Sequence, residues 1–350
     1  MPNPHRCVTG TYAAIVVTAP PAVDTARTTI QPALRAAVEH LPAGLQRLVG
    51  YHFGWLDRDG NPHDGGVGKA LRPTLALLGA RAAGSAERAA VPAAVAVELV
   101  HNSSLLHDDL IDGDRTRHHR PTVWAEFGVP AAILAGDALL NLAYHVVGAE
   151  PAGSYGASRW LSEATNRMLA GQAADVSFEH RLDVTVEECL QMAEDKTAAL
   201  LSGAAAIGSA YVSGPEEVTH ALAAYGRHLG VAFQLVDDVL GIWGAAESTG
   251  KPVLADLRVR KKSLPVVYAL RAGEPASTEL AELYAATDLA ETDLQRCADL
   301  VAAAGGRDWA EQQAAAALAR ALGAVRDVPL AAGTREELDQ VAAYVTARNR

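Results

Sequence analysis

Along most of the chain apolar residues return every three or four positions, the period of helices with one buried face. Ile30 to Trp55 follows this rule and predicts one helix or a broken pair. Asp57 to Gly68 interrupts it with Gly, Asp, Asn, Pro and His, a loop, and the helical pattern resumes over Thr74 to Ala83. An apolar run from Ala89 to Val100 leads into Leu105-Leu-His-Asp-Asp-Leu-Ile-Asp112. Further helical stretches cover Pro130 to Val147, Gly156 to Phe178, Val184 to Val212 and Glu216 to Trp243, and more follow Pro265. Residues 1–28, rich in Thr, Pro and Ala, read as a disordered tail, and 29–350 as a single all-α domain of ten or more helices with no internal repeat.

Composition sharpens this picture. Half the chain is hydrophobic (49%) but only 5% is aromatic, and alanine is abundant, so the helices are expected to pack closely. The 350 residues can bury a sizeable core. A formal net charge of −11 argues against nucleic acid as a partner. Cys7, Cys189 and Cys297 lie far apart in no metal-type spacing, the usage of a reducing cytoplasm. No run approaches the roughly 18 apolar residues of a membrane span. The stretch Tyr12 to Ala19 is a thin match to a signal peptide, with one arginine ahead of it. The expectation is a cytoplasmic protein.

The candidate chemistry starts at the aspartates. On a helix Asp108 and Asp112 share a face at i and i+4, with Asp109 beside them, and like charges at that spacing repel. Oxygen-only ligands of this kind suit Mg²⁺, which completes its octahedron with water and phosphate oxygens. The bland alternative is a solvated acidic turn. Upstream, Lys69 and Arg72 fall on one helical turn after a Gly-rich loop, either a phosphate cradle or a solvated helix start. Downstream, Asp114 to Thr122 is a loop dense in cations, including Arg117, His118 and Arg120. Lys196, with Thr197, stands inside an apolar helix, where it either meets an anion or snorkels to the edge. Asp237-Asp238 place a second acidic pair on a second helix, about 130 residues after the first.

Taken in order, Gly68-Lys69-x-x-Arg72-Pro73, Asp108-Asp109-x-x-Asp112, Arg117, Gly136-Asp137, Lys196-Thr197, Phe233-Gln234-x-x-Asp237-Asp238, Gly250-Lys251-Pro252 and Lys261 resemble the trans-isoprenyl (polyprenyl) diphosphate synthases from about Ile30 onward. Within that family the match is most like a geranylgeranyl diphosphate synthase. The resemblance implies one isoprenoid synthase-type helical bundle around a central acidic cavity, and usually a homodimer. It implies Mg²⁺ held by Asp108, Asp112 and Asp237, three ions with substrate bound, supported by Asp109, Asp238 and Asp256. Arg117, Lys196 and Lys251 would clamp an allylic diphosphate, and Lys261 would support the second wall. Thr197 and Gln234 would turn oxygen dipoles to the allylic cation. Lys69, Arg72, His101 and, in place of an arginine, His118 would hold isopentenyl diphosphate, whose double bond attacks that cation. Pyrophosphate would take the final proton.

The chain departs from the family pattern at three places. Gly241 stands where a third aspartate is usual, His118 where a second arginine is usual, and Ala70 where a cation is common. Small Ser103 and Ser104, five and four residues before Asp108, leave the tail room beyond fifteen carbons, with a floor expected near Val100 or Ala96 and a C20 product. His107 is expected either to pack or to orient Asp108. The competing readings are a class I terpene cyclase on the same fold, a non-catalytic partner subunit, and a phosphohydrolase built on His107-Asp108.

Overall fold

The computed structural model describes residues 18–63, 65, 68, 70–149, 154–179, 181, 183–244, 253–286 and 289–347. Cys7, Lys69 and the segment Gly250-Lys251-Pro252 therefore lie outside the described residues.

The Ile30–Trp55 pattern is a broken pair, α1 (Pro21–Val38) and α2 (Ala43–His52). Helix α1 begins ahead of the expected boundary at 29, so residues 21–28 are not tail. The reason is local: Pro21 opens the helix, where its missing N–H costs nothing, and Val23, Ala26, Ile30 and Leu34 bury one stripe. A loop then leads to α3 (Leu71–Ala82). After a short 3₁₀ turn, α4 (Val91–Ile111) carries the first aspartates, with Asp112 as its C-cap.

A two-stranded hairpin follows, β1 (Thr116–Arg117) and β2 (Arg120–Pro121), paired Thr116 to Pro121 and Arg117 to Arg120. Its turn residues, His118 (φ 50°) and His119 (φ 62°), are both left-handed, a geometry that ordinarily selects Asn-Gly. Arg120 pins the hairpin to the body. Its guanidinium donates to Tyr51 O (3.3 Å) and Leu56 O (3.0 Å) and lies 4.5 Å from the centre of the Tyr51 ring.

Short α5 (Val123–Phe127), α6 (Val129–Gly148) and α7 (Ser154–Phe178) come next. The predicted Val184–Val212 helix is α8 (Val186–Ala193), a π-helical turn (Glu194–Ala198) and α9 (Ala199–Tyr211). Thr185 and Glu188 close a reciprocal capping box at the start of α8. α10 runs over Glu216–Trp243, as the periodicity predicts. Among the described residues, a short helix at Ala255–Arg258 is followed by five longer ones.

α9 is central, packing on α3, α7 and α10, while α4 packs on α6, α3 and α9. The small residues make this closeness possible. A β-carbon on Gly79 would meet Ala205 O at 2.6 Å, and one on Gly208, Gly226 or Gly230 would overlap the facing helix. Alanine and glycine thus substitute backbone proximity for bulky side chains. At the far end, Tyr225 donates to Leu338 O (2.6 Å), tying the last helix to α10. Cys189 and Cys297 are buried and unpaired.

Against the expectation from the sequence, α4 (with the turn before it) and α6 are each long and apolar enough to cross a membrane, by length and composition. α4 is a core helix, burying Glu98, Asn102 and Asp109 along with its apolar residues. α6 leaves Val129, Ile133 and Leu134 exposed.

Candidate active site

The first acidic wall is the C-terminal turn of α4. Asp108 is half-buried and Asp112 exposed, while Asp109 is 2% exposed. Asp109 does not face the cavity: its Oδ1 accepts from Nε and Nη2 of Arg117, both at 2.7 Å. Burial pushes the Asp108 carboxyl up to about 6, with Asp112 adding to the rise and Lys196 opposing it. The Asp112 carboxyl is likewise raised, by burial first, against the pull of Lys196. Two carboxyls held above their ordinary range by burial and neighbouring negative charge are relieved by a cation. Their hard oxygen donors fit Mg²⁺. Among the described residues no three His, Cys, Asp or Glu side chains converge into a metal-binding group.

Lys196 sits in the π turn, a distortion that recurs at functional sites because it re-aims side chains. Its Nζ donates to Asp175 Oδ2 at 2.5 Å, so the anion this half-buried lysine meets is Asp175 on α7. The two helices meet closely there because Gly171 has no side chain; a β-carbon would overlap the Lys196 backbone.

The second wall is wired as a chain of hydrogen bonds. Thr197 Oγ1 donates to Gln234 Oε1 (2.7 Å), and Gln234 Nε2 donates to Asp238 Oδ1 (2.9 Å). Lys261 Nζ donates to Asp238 Oδ1 (3.0 Å) and approaches Asp256 Oδ2 (3.4 Å), while Leu264 N donates to Asp238 Oδ2 (3.0 Å). Burial acts to lower the Lys261 pKa, yet Asp238, Asp256 and Asp237 hold it well above its usual value. Asp238 is buried and committed to this network, whereas Asp237 is exposed. Of each adjacent pair, one aspartate is buried in the wall, and the other is less buried: Asp108 lines the cleft and Asp237 is exposed.

A third group gathers under the hairpin. Arg72 is pushed down to about 10 by burial, with Glu98 favouring its charge, and it remains a cation at neutral pH. Its buried Nε finds no partner among the described residues. Burial, Arg72, Arg117 and His52 hold His101 neutral, well below its ordinary pKa. Behind them His52 Nε2 meets Asn102 Oδ1 (3.1 Å), and Asn102 Nδ2 donates to Glu98 Oε1 (3.1 Å). His118 is exposed at the hairpin tip, its pKa lowered by desolvation and by Arg117 and His119. Lys69 and Lys251 lie outside the described residues.

A cleft with about 460 Å³ of atom-free space, part of it open to solvent, runs from Asp108 and Lys196 along Ser103, Ser104, Leu140, Thr165, Met168 and Leu169. One expectation changes here. Val100 and Ala96 are buried in the core and do not line this cleft; its deeper surfaces come from α6 and α7. Of the two readings of His107, the packing one fits its contacts: its ring lies over Gly136 with Nε2 3.3 Å from Ile133 O and 3.7 Å from Asp137. Asp175, Glu98 and Gln172 were not singled out as site residues from sequence, although Gln172 and Asp175 share a helix face at i and i+3.

The polyprenyl synthetase family model matches residues 63–301. A (2E,6E)-farnesyl diphosphate synthase of Mycobacterium tuberculosis is 44% identical over 94% of this chain and 93% of its own length. A geranylgeranyl diphosphate synthase of the same organism is 41% identical over 87% of this chain and 88% of its own. The crystal structure of a polyprenyl synthetase from Streptomyces coelicolor superposes with a TM-score of 0.89 at 46% identity, covering 93% of this chain and 98% of that one. Sequence, fold and the order of the motifs agree, and the chain belongs to the polyprenyl synthetase family, the trans-isoprenyl diphosphate synthases with the all-α isoprenoid synthase fold.

Proposed function

We propose that this protein is a Mg²⁺-dependent trans-prenyltransferase that joins isopentenyl diphosphate to an allylic diphosphate, with geranylgeranyl diphosphate (C20) as its product. The observation that carries the reading is the division of labour in the site. Asp108 and Asp112 face Lys196 at one wall, Asp237 faces outward at the other, and the Arg72 cation with neutral His101 forms a separate group.

Asp108 and Asp112 would hold metal at the first wall and Asp237 at the second. Bound Mg²⁺ supplies Lewis-acid pull on the leaving diphosphate. Lys196, oriented by Asp175, donates to that diphosphate as it departs with the bonding pair. Arg117 reaches it while sharing Asp109, and Lys251 belongs to the same group. The oxygen lone pairs of Thr197 and Gln234 meet the allylic cation. Arg72, neutral His101, His118 and Lys69 hold the second diphosphate, so that its double bond closes on C1 and the proton lost from C2 passes to a pyrophosphate oxygen.

The C20 length is supported by the small Ser103 and Ser104 in the cleft wall. The test is incubation of the protein with Mg²⁺ and farnesyl diphosphate, with and without isopentenyl diphosphate, and mass spectrometry of the products. A C20 linear diphosphate formed only with isopentenyl diphosphate supports the reading. Farnesyl diphosphate left unextended, while geranyl diphosphate is extended to it, assigns C15 instead. Hydrocarbons or alcohols formed without isopentenyl diphosphate overturn the synthase in favour of a cyclase.

The exposed apolar face of α6 (Val129, Ile133, Leu134), with Leu169 and Val176 of α7, supports a homodimer through these helices. Sedimentation of Leu134→Glu against the wild type tests it: a monomeric variant supports the assignment, and an unchanged oligomer overturns it.

A further inference from the structure

Three consecutive residues of the π turn, Asp195, Lys196 and Thr197, take partners on different sides of it. Lys196 goes to Asp175 on α7 and Thr197 to Gln234 on α10, and both serve the proposed reaction. Asp195 has no place in that reaction. Its Oδ1 accepts from Arg167 Nε of α7 (2.7 Å) and its Oδ2 from Gln191 Nε2 of α8 (2.8 Å). None of these three residues lines the cleft. Arg167 Nη2 also lies 3.9 Å from Glu194 Oε2, on the residue that opens the turn.

The surroundings of the turn show what this arrangement does. Arg167, Gly171 and Asp175 recur every four residues and share one face of α7. That face meets the turn at successive points: Arg167 at the Asp195 carboxylate, Gly171 at the backbone of Asp195 and Lys196, and Asp175 at the Lys196 ammonium. From the other side, a β-carbon on Gly230 of α10 would meet Ala198 at 2.4 Å. The two glycines let both helices press on the turn without gripping it, so its rotation is set by side-chain contacts. A π turn holds one residue more than an α-helical path, and relaxing to α geometry would rotate its flanks against each other by about 100°. The contacts of Lys196 and Thr197 oppose this only while no substrate draws on them: a diphosphate at Lys196 competes with Asp175. The clamp on Asp195 stays closed throughout.

We infer that Asp195 and Arg167 are positioning residues, an ion pair outside the cleft that holds the π turn in register and so aims Lys196 at the allylic diphosphate. The role of Lys196 in this inference rests on the synthase reading above. Its test compares Arg167→Met, Asp195→Asn and Arg167→Lys with the wild type in the full-length protein with Mg²⁺. The allylic substrate is geranyl diphosphate, which is extended whether the final product is C15 or C20. The measured quantities are kcat, the KM for each substrate, the Kd of geranyl thiolodiphosphate, which binds without ionising, and the thermal midpoint.

In Arg167→Met and Asp195→Asn kcat should fall by about 10- to 100-fold, the scale on which a misplacement of about 1 Å acts. The analogue should bind severalfold more weakly. The KM for isopentenyl diphosphate should stay within about twofold, since Arg72 and His101 stand on α3 and α4, away from the turn. The midpoint should move by only a few degrees, because a partly exposed ion pair contributes little to stability. Arg167→Lys, which keeps a cation on an unbranched stem, should recover kcat to within about threefold. A kcat and an analogue Kd within about twofold of wild type in Arg167→Met and Asp195→Asn overturn the inference. An equal rise in both KM values, a loss of activity that tracks a lowered midpoint, or an Arg167→Lys no better than Arg167→Met does the same. A wild type that binds the analogue but transfers no prenyl group overturns the synthase reading alone, and the analogue Kd then decides the positioning role. A wild type that does neither overturns both.

Discussion

The carboxylate of Asp256 occupies the space that a β-carbon on Gly241 would need, while Asp256 Oδ2 lies 3.4 Å from Lys261 Nζ. Gly241 is one helical turn after Asp237, at the place where the family's third aspartate is usual. The negative charge missing from α10 is thus brought up from the Ala255–Arg258 turn, against a bare α-carbon. Gly241→Ala should force Asp256 away from Lys261 and cost about 1–3 kcal/mol, the usual penalty of overpacking. Thermal denaturation checks this; an unchanged midpoint would show that Asp256 moves freely.

Asp108 carries a carboxyl that burial has pushed up to about 6 and that Asp112 repels. Asp108→Ala should therefore leave helical content and metal-free stability unchanged or slightly improved. Mg²⁺-dependent turnover should fall by about a thousandfold or more, the scale of several kcal/mol of charge stabilisation. Circular dichroism and product formation measured on the same sample separate the two, and undiminished turnover would remove Asp108 from the metal site.

Ser103 is only 3% exposed yet lines the cleft beside Leu140 and Met168. Ser103→Phe should fill that passage and shorten the product by at least one isoprene unit, at a stability cost of about 1–3 kcal/mol. Products are read by mass spectrometry. The same chain length in the variant would place the limit on α6 and α7, at Leu140 and Met168.

The hairpin turn holds His118 and His119 in left-handed conformations that glycine adopts without strain. His119→Gly is expected to relieve that strain and stabilise by about 0.5–1 kcal/mol, net of the greater freedom glycine gives the unfolded chain. His118→Arg adds a permanent cation where the imidazole is held neutral, and should lower the KM for isopentenyl diphosphate severalfold with little change in kcat. A KM that stays put would show that position 118 does not reach that substrate.

His52 bears on pH dependence. Burial lowers its pKa from 6.5 to about 4, with Arg117, His118 and Arg120 also opposing the charge and Asn102 favouring it. The unfolded chain therefore binds this proton first, and the stabilisation from a neutral His52 is lost as pH falls from about 6.5 to 4. The loss is about 1–3 kcal/mol at most. His52→Gln should flatten the stability profile between pH 7 and 5 in chemical denaturation; an equally steep profile would move the effect to another group.

The 3.6-residue periodicity was enough to place the Glu216–Trp243 helix and the aspartates on a helix end, because a buried stripe is a local property of the chain; at the start it left one helix or a broken pair open. Motif order was likewise legible, since each motif is contiguous. Which aspartate of a pair faces the cavity was not. Asp109 and Asp238 turn inward because Arg117, Lys261 and the Leu264 amide arrive from distant segments to satisfy them, leaving Asp112 and Asp237 outward. The π turn at Lys196, the early start of α1 and the ring of His107 over Gly136 have the same origin. Each is decided by what packs against it across the bundle, and helix packing at this closeness is set by contacts between residues far apart in the chain.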